Sequence, residues 1–357
     1  MQTKAENMRA RKVTIRDIAT EAGVSIALVS FVMNNKTDGK KGYRVNKETA
    51  QRILEVADKL NYRPNNAARI LRSGRSRTIG VILSDISNKF FADIARCIED
   101  CAYNHKYTVL FGSTDENPRK LENLIEVFTD KGVDGLIIVP CEGAGEMIRE
   151  VVQRQRIPVV LLDREVPGLE ASSVVLNNRR AASSLTGELL ERGYRRIEMI
   201  SYSMELSNIQ EREAGYLAAM TEAGLEKSAA IHHLRHDRMN RIDEVIREAK
   251  KRGVEAFLFA TNTLAVSGLT AIARNGWQVP RDLSIACFDT ADMFDIYNTT
   301  TACVRQPIER FGSEALELLI KRIEEKDALS CTRVVLQPEI LAEERSPEEE
   351  CTTEALS

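Results

Sequence analysis

No run in the 357 residues approaches the roughly 20 apolar positions that a membrane-spanning helix needs. The first residues, Met1 to Lys12, are polar and basic and lack the apolar centre of a secretory leader, so the chain reads as cytoplasmic. Seven cysteines (Cys97, Cys101, Cys141, Cys287, Cys303, Cys331 and Cys351) contain no C-x-x-C pair, which excludes the common zinc and redox spacings. Cys97 and Cys101, one helical turn apart, read as buried helical thiols rather than a ligand pair. No G-x-G-x-x-G follows a strand and no G-x-x-x-x-G-K-[ST] occurs, so nucleotide cradles lack their backbone, and Gly143-Ala144-Gly145 reads as a loop. G-x-S-x-G and H-E-x-x-H are absent too. The cluster His232, His233, His236 and Asp237, in a polar stretch after an expected strand, reads as surface histidines rather than a metal site. The sequence therefore predicts no enzyme, no cofactor and no metal.

What is present is a charge division. Residues 1–78 carry 17 Lys and Arg against 7 Asp and Glu, a net of +10, while residues 79–357 carry 33 against 46, a net of −13. A basic head on an acidic body predicts that the head, and not the body, meets a polyanion. The length implies two or three cored units.

From Thr14 the chain reads TIRDIATEAGVSIALVSFVMNN. Ile15, Ile18, Ala19 and Ala22 fall at helical spacing behind a Thr14–Asp17 capping box. Gly23 breaks this helix, Val24 plugs the corner, and Ser25 caps a second helix with Val29 and Val32 facing inward. NKETAQRILEVADKL supplies a third helix, capped by Asn46, with Ile53, Val56, Ala57 and Leu60 on one face. Such a unit places the start of its second helix in the DNA major groove. Ser25, Ile26, Ala27 and Leu28 stand there and are unusually apolar, which favours readout of thymine methyls and shape, with Ser30 and Asn34 as the polar candidates. Lys36, Lys40, Lys41 and Arg44 in the following loop either lie along phosphates or are solvated. Pro64 and Asn65 then start a helix through Ala67, Ala68, Ile70 and Leu71 that is too short to stand without a partner.

The ordered motifs V-T-I-R-D-I-A, A-G-V-S, V-S-x-V-x-N and N-Y-R-P-N-x-x-A-R-x-L resemble the lactose-repressor/galactose-repressor family of bacterial regulators. The resemblance implies that the short helix is a hinge pairing with its twin in the minor groove, with Leu71 as the wedge that kinks the duplex. It adds Thr14, Tyr62, Asn65, Ala68 and Arg69 to the DNA-binding residues. The implied partners are a palindromic double-stranded operator, a small-molecule effector and a second copy of the chain, as a homodimer or larger assembly.

Beyond Thr78, IGVIL, YTVLF, GLIIV, VVLL, IEMI, AFLFA and LSIACF alternate with helical stretches, the pattern of parallel α/β sheets. The predicted fold class is α/β: an amino-terminal three-helix helix-turn-helix domain plus hinge helix, then a two-lobed periplasmic-binding-protein-like body with Rossmann-like parallel sheets. The resemblance implies three crossovers between the lobes and a ligand in their cleft. The expected divisions are a disordered basic tail over 1–12, the head over 13–62, the hinge and linker over 63–78, the body over 79–345 and a disordered acidic tail over 346–357. Lobe one takes 79–174 and 306–331, and lobe two takes 175–305 and 332–345, including Val334 to Leu336. Positions matching the family's effector contacts are Asp85, Asn88, Phe90 and Phe91 in D-x-x-N-x-F-F, then Asp163, Arg164, Asn178, Arg212 in R-E-A-G-Y, Asn262, Asp289 and Gln306. A polar ring with aromatic plates suits a sugar or sugar derivative. Taken singly, each also reads as a cap or turn residue, and the phenylalanines as core. Two positions depart from the family pattern, Thr263 and Asn177, where aspartate is usual, and they put the lobe-closing network in question. A sugar-binding receptor or carrier of the periplasmic type would account for the body but not for the basic head.

Overall fold

The computed structural model describes residues 13–34, 45–62, 74–235, 241–289, 301–325 and 330–342. The two tails, the loop residues Lys36, Lys40, Lys41 and Arg44, and the hinge residues Asn65, Ala68, Arg69 and Leu71 lie outside them. The chain divides into two compact units between Ser76 and Arg77.

In the first unit, α1 (Ile15–Ala22), α2 (Ile26–Asn34) and α3 (Lys47–Lys59) enclose Ile18, Ala19, Ala22, Val29, Val32, Ile53 and Ala57. Local chemistry sets the ends. The Thr14 N–H donates to the Asp17 carboxylate at 2.8 Å, closing the first turn of α1. Gly23 ends that helix at a φ of 65°, a left-handed turn that glycine adopts without strain. Ser25 Oγ accepts from the Leu28 N–H at 3.2 Å, and Asn46 Oδ1 accepts from Glu48 N–H at 3.1 Å.

The second unit starts with β1 (Thr78–Leu83), α4 (Lys89–Asn104), β2 (Thr108–Ser113), α5 (Pro118–Asp130), β3 (Gly135–Ile138), α6 (Gly145–Glu150), β4 (Val159–Leu162) and β5 (Ser172–Leu176). The alternation then repeats as α7 (Asn178–Glu191), β6 (Ile197–Tyr202), α8 (Ser207–Glu222), β7 (Ala230–Leu234), α9 (Ile242–Lys251), β8 (Ala256–Phe259), α10 (Asn262–Arg274), β9 (Ser284–Phe288) and β10 (Ala302–Arg305). The chain ends on α11 (Ile308–Glu324), β11 (Arg333–Leu336) and β12 (Glu339–Ala342). Two sheets result, ordered β11-β5-β4-β3-β1-β2 and β12-β10-β9-β8-β6-β7, parallel except for β12. Each sheet reverses its strand order once, beside β1 and beside β6, and the carboxyl ends of strands at such a reversal form a crevice.

Two expectations need correction. β11 does not join the second lobe: it pairs in parallel with β5, Val334 beside Val174 and Leu336 beside Leu176, and β5 itself runs past Val174. The cause is nonlocal, since Arg333 forks onto Glu165 at 2.8 and 3.0 Å and fixes β11 to lobe one. The chain therefore crosses between sheets at 176–178, 305–308 and 336–339. His232 and His233 lie within β7 rather than after a strand, and alternation sends them to different glutamates, Glu198 at 2.6 Å and Glu213 at 3.1 Å. His236 and Asp237 lie outside the described residues. Cys141, Cys287 and Cys303 are buried and Cys97 and Cys101 half-buried, whereas Cys331 is exposed. Among the described residues, no helix is long and apolar enough to cross a membrane.

Candidate ligand cleft and nucleic-acid interface

The carboxyl ends of strands from both sheets open on one cavity of about 320 Å³, near the lower end of the size range of small-molecule sites. Asp85, Asn88, Phe90 and Phe91 reach it from beyond β1, Asp163 and Arg164 from beyond β4, and Arg212 from α8. Asn262, Asp289 and Gln306 reach it from beyond β8, β9 and β10. Ten of the eleven positions singled out in the sequence thus surround one space. Phe90 and Phe91 belong to the core as well, meeting edge to face at 4.9 Å, with Phe90 also against Phe311. Asn178 stands behind the wall.

Arg212 is 2% exposed and fixed from three sides. Its Nε donates to Asn178 Oδ1 at 2.8 Å, its Nη1 donates to the Ala260 carbonyl at 2.7 Å, and its guanidinium lies 3.9 Å over the Phe288 ring. Burial lowers its pKa, partly offset by Asp163 and Asp289. The R-E-A-G-Y segment shows how the fold holds this residue. Gly215 lets α8 approach α7 so closely that a Cβ would stand 2.2 Å from the Arg179 carbonyl oxygen. The Tyr216 hydroxyl donates to the Ile197 carbonyl at 2.7 Å, and Glu213 accepts from Ser201 at 2.6 Å.

The carboxylates are held differently. Asp163 turns through a φ of 65° and accepts from Asn208 Nδ2 at 2.9 Å. Burial raises its pKa against the pull of Arg164 and Arg212. Burial likewise pushes Asp289 up to about 6, although Arg212 and the Gln306 amide, donating at 2.7 Å, favour its charge. Burial opposes the charge on Arg164, but Glu116 outweighs it and raises the pKa, with contacts at 2.8 and 2.9 Å.

Several contacts span the lobes across the cleft. Asn88 and Asn262 exchange amide hydrogen bonds at 3.4 and 3.2 Å, and Ser207 Oγ accepts from Glu165 N–H at 2.8 Å. The bridge thus runs through Asn262, whose Oδ1 accepts from the Thr263 N–H at 2.7 Å and hydroxyl at 3.3 Å, and Asn177 caps α7 by accepting from Arg180 N–H at 3.2 Å. Glu116, Tyr202, Asn208 and Thr261 also line the cleft and were not singled out from the sequence.

On the head, Ser25 and Ala27 are exposed, Ile26 is 41% exposed, and Leu28 and Ser30 are half-buried. Asn34 closes α2, Thr14 is exposed before α1, and Tyr62 packs on the head core. The exposed start of α2 is thus mainly apolar.

Architecture and cleft define a class, the two-part regulator with a helix-turn-helix head and a ligand-binding body. Residues 14–65 match the model of the bacterial regulatory proteins, lacI family, and residues 186–343 match the periplasmic binding protein-like domain. The chain is 30% identical over 333 residues to the HTH-type transcriptional repressor PurR of Vibrio campbellii, covering 92% of this chain and 97% of that one. It is 31% identical over 314 residues to catabolite control protein A of Priestia megaterium, covering 87% and 92%. Among solved structures, the lac repressor dimer bound to operator and the anti-inducer ONPF superimposes with a TM-score of 0.77 at 19% identity, over 93% of this chain and 98% of that one. The chain belongs to the lacI family of bacterial regulatory proteins. It is a DNA-binding transcriptional repressor with a ligand-binding body, not an enzyme.

Proposed function

We propose that this repressor's operator affinity is controlled by a small polar effector, a sugar or sugar derivative, held between the lobes. The convergence of the ten effector positions on one cavity carries the reading. Carboxylates and amides there suit hydroxyl pairs, Arg212 supplies a fixed donor, and Phe90 and Phe91 offer faces for C–H surfaces. The DNA contacts are assigned to Ser25, Ile26, Ala27, Leu28, Ser30 and Asn34 in the major groove, with Leu71 and its hinge in the minor groove. A homodimer on a near-palindromic site fits a head that reads one half-site, and the similar lac repressor is a dimer on its operator. Calorimetric titration of the full chain with a panel of mono- and disaccharides, followed by operator binding with and without each hit, tests the reading. The expected result is one binder that changes operator affinity. A set of sugars that bind nowhere, or a hit that leaves operator affinity unchanged, overturns it.

A further inference from the structure

The polar groups of the cleft also specify the charge of its occupant. Resting on the reading that this cleft takes an effector, we propose that the effector is an uncharged, donor-rich polyol and that phosphorylated or carboxylated analogues are excluded. Among the described residues, Asp85, Asp115, Glu116, Asp163 and Asp289 line the cavity, against two guanidinium groups. Of these, Arg164 is spent on Glu116 and on the Pro140 carbonyl at 3.0 Å. Arg212 faces both Asp163 and Asp289 and has committed two of its three nitrogens to Asn178 and Ala260. Among the described residues lining this cavity, no further cation stands ready to neutralise a phosphate, and an unpaired buried charge is strongly disfavoured.

Three polar atoms of the wall are buried without a hydrogen-bond partner: Asp163 Oδ1, Gln306 Oε1 and Arg164 Nε. The first two, on residues 3% and 4% exposed, are acceptors that a ligand hydroxyl satisfies, while a phosphate or carboxylate group brings only further acceptors. The one donor, Arg164 Nε, is held in an ion pair 3.5 Å from Asp163 Oδ2.

The strongest counter-argument is that α4, α8 and α10 begin at the cavity, and helix starts are ready-made anion cradles. Here some of those amides are already taken. Asn88 Oδ1 accepts from Phe90 N–H at 3.1 Å, Asn208 Oδ1 from Ile209 N–H at 2.9 Å, and Thr261 Oγ1 from Leu264 N–H at 3.3 Å. Asn262 Oδ1 accepts from Thr263 N–H at 2.7 Å. Each helix start has thus given at least one of its donors to its own side chains, and the surrounding carboxylates oppose an anion at those that remain.

The test uses the full chain and a small-molecule extract of bacterial cells, split by anion exchange into an unretained neutral pool and a retained anionic pool. Thermal unfolding is followed with each pool. Calorimetry is then run with matched probes, D-glucose against D-glucose 6-phosphate and D-ribose against D-ribose 5-phosphate. The neutral pool is expected to raise Tm and the anionic pool to leave it unmoved, and any neutral probe that binds should exceed its ester by on the order of 100-fold or more. Stabilisation confined to the anionic pool, or an ester that binds as tightly as its parent, overturns the proposal alone. Stabilisation by a neutral compound that is not a sugar overturns the sugar reading and upholds the charge assignment. Stabilisation by neither pool overturns both.

Discussion

Arg212 concentrates the chemistry of the cleft in one side chain. Removing it strips a buried charge from between Asp163 and Asp289 and two hydrogen bonds from Asn178 and Ala260. Arg212→Ala is expected to abolish the ligand response and to cost the body about 3 kcal/mol, read by calorimetric titration and denaturant unfolding. The head has its own core, so operator affinity without ligand should persist. A folded variant with a normal ligand response would remove Arg212 from the site. Asp289 supplies a pH dependence. Its folded pKa of about 6 lies above the ordinary carboxyl value, so its contribution to stability is fully present below the unfolded pKa and is lost as pH rises through 6. A ligand that donates to the carboxylate favours the ionised form. Ligand affinity should therefore fall as pH drops below 6, with proton release on binding near that pH, and Asp289→Asn should flatten the profile. Calorimetry in buffers of different ionisation enthalpy measures both, and an unchanged profile in the variant would exclude Asp289 as the titrating group. The ten cleft positions were legible because each falls in a short motif that matches the family pattern. Glu116 and Asn208 were not. Each earns its place only through a partner distant in sequence, Arg164 and Asp163, and no local pattern announces such a pairing.

At the scale of elements, the site depends on how closely α8 lies on α7. Gly215→Ala would put a methyl into the Arg179 carbonyl and the Ala182 side chain. The helices must separate, at an expected cost of about 1–3 kcal/mol, and the Arg212 to Asn178 bond opens with them. The variant should lose ligand affinity although Gly215 is not a lining residue. Unfolding and titration of the same preparation check this, and unchanged values of both would show that the helices tolerate the separation. In the head, Asp17→Ala removes the acceptor for the Thr14 N–H and should cost about 1 kcal/mol, read as a lower head unfolding midpoint. The three head helices were legible because caps, breaker and apolar spacing are all local. The same holds for strands such as Val159–Leu162, an unbroken apolar run. β7, AIHHL, was masked by its histidines, and β5, SSVVL, by serines that are buried yet bonded, Ser173 to Glu165 and Ser172 to the Thr332 N–H. β11 was read as a strand but given to the wrong lobe, because which sheet an edge strand joins is decided by a partner far along the chain, here β5 and Glu165.

For the whole molecule, the charge division and the cleft make separable claims. The net +10 of residues 1–78 predicts that operator affinity falls steeply with salt as counterions are released, and that removing residues 1–77 abolishes DNA binding while leaving ligand binding. A truncated body that still retards the operator would contradict that division. The connection between the two activities is a matter of linkage. A ligand changes operator affinity only to the extent that it binds the DNA-competent and DNA-incompetent arrangements differently, and such couplings are typically about 1–3 kcal/mol. Contacts that span the cleft, among them Asn88 with Asn262, Glu165 with Ser207 and Asp163 with Asn208, are those a change of lobe angle must break or remake. A ligand seated against both lobes competes with them or reinforces them. Because free energy around a closed cycle sums to zero, saturating operator must change the ligand's Kd by the same factor as saturating ligand changes the operator's Kd. Asn262→Ala removes one bridge and should alter that shared factor in both directions equally. Titrating ligand with and without operator, and operator with and without ligand, in both proteins measures all four affinities. Equal factors in the wild type, and a different but still matched pair in the variant, are the expected result. Matched factors that Asn262→Ala leaves unchanged would show that this bridge takes no part in the switch.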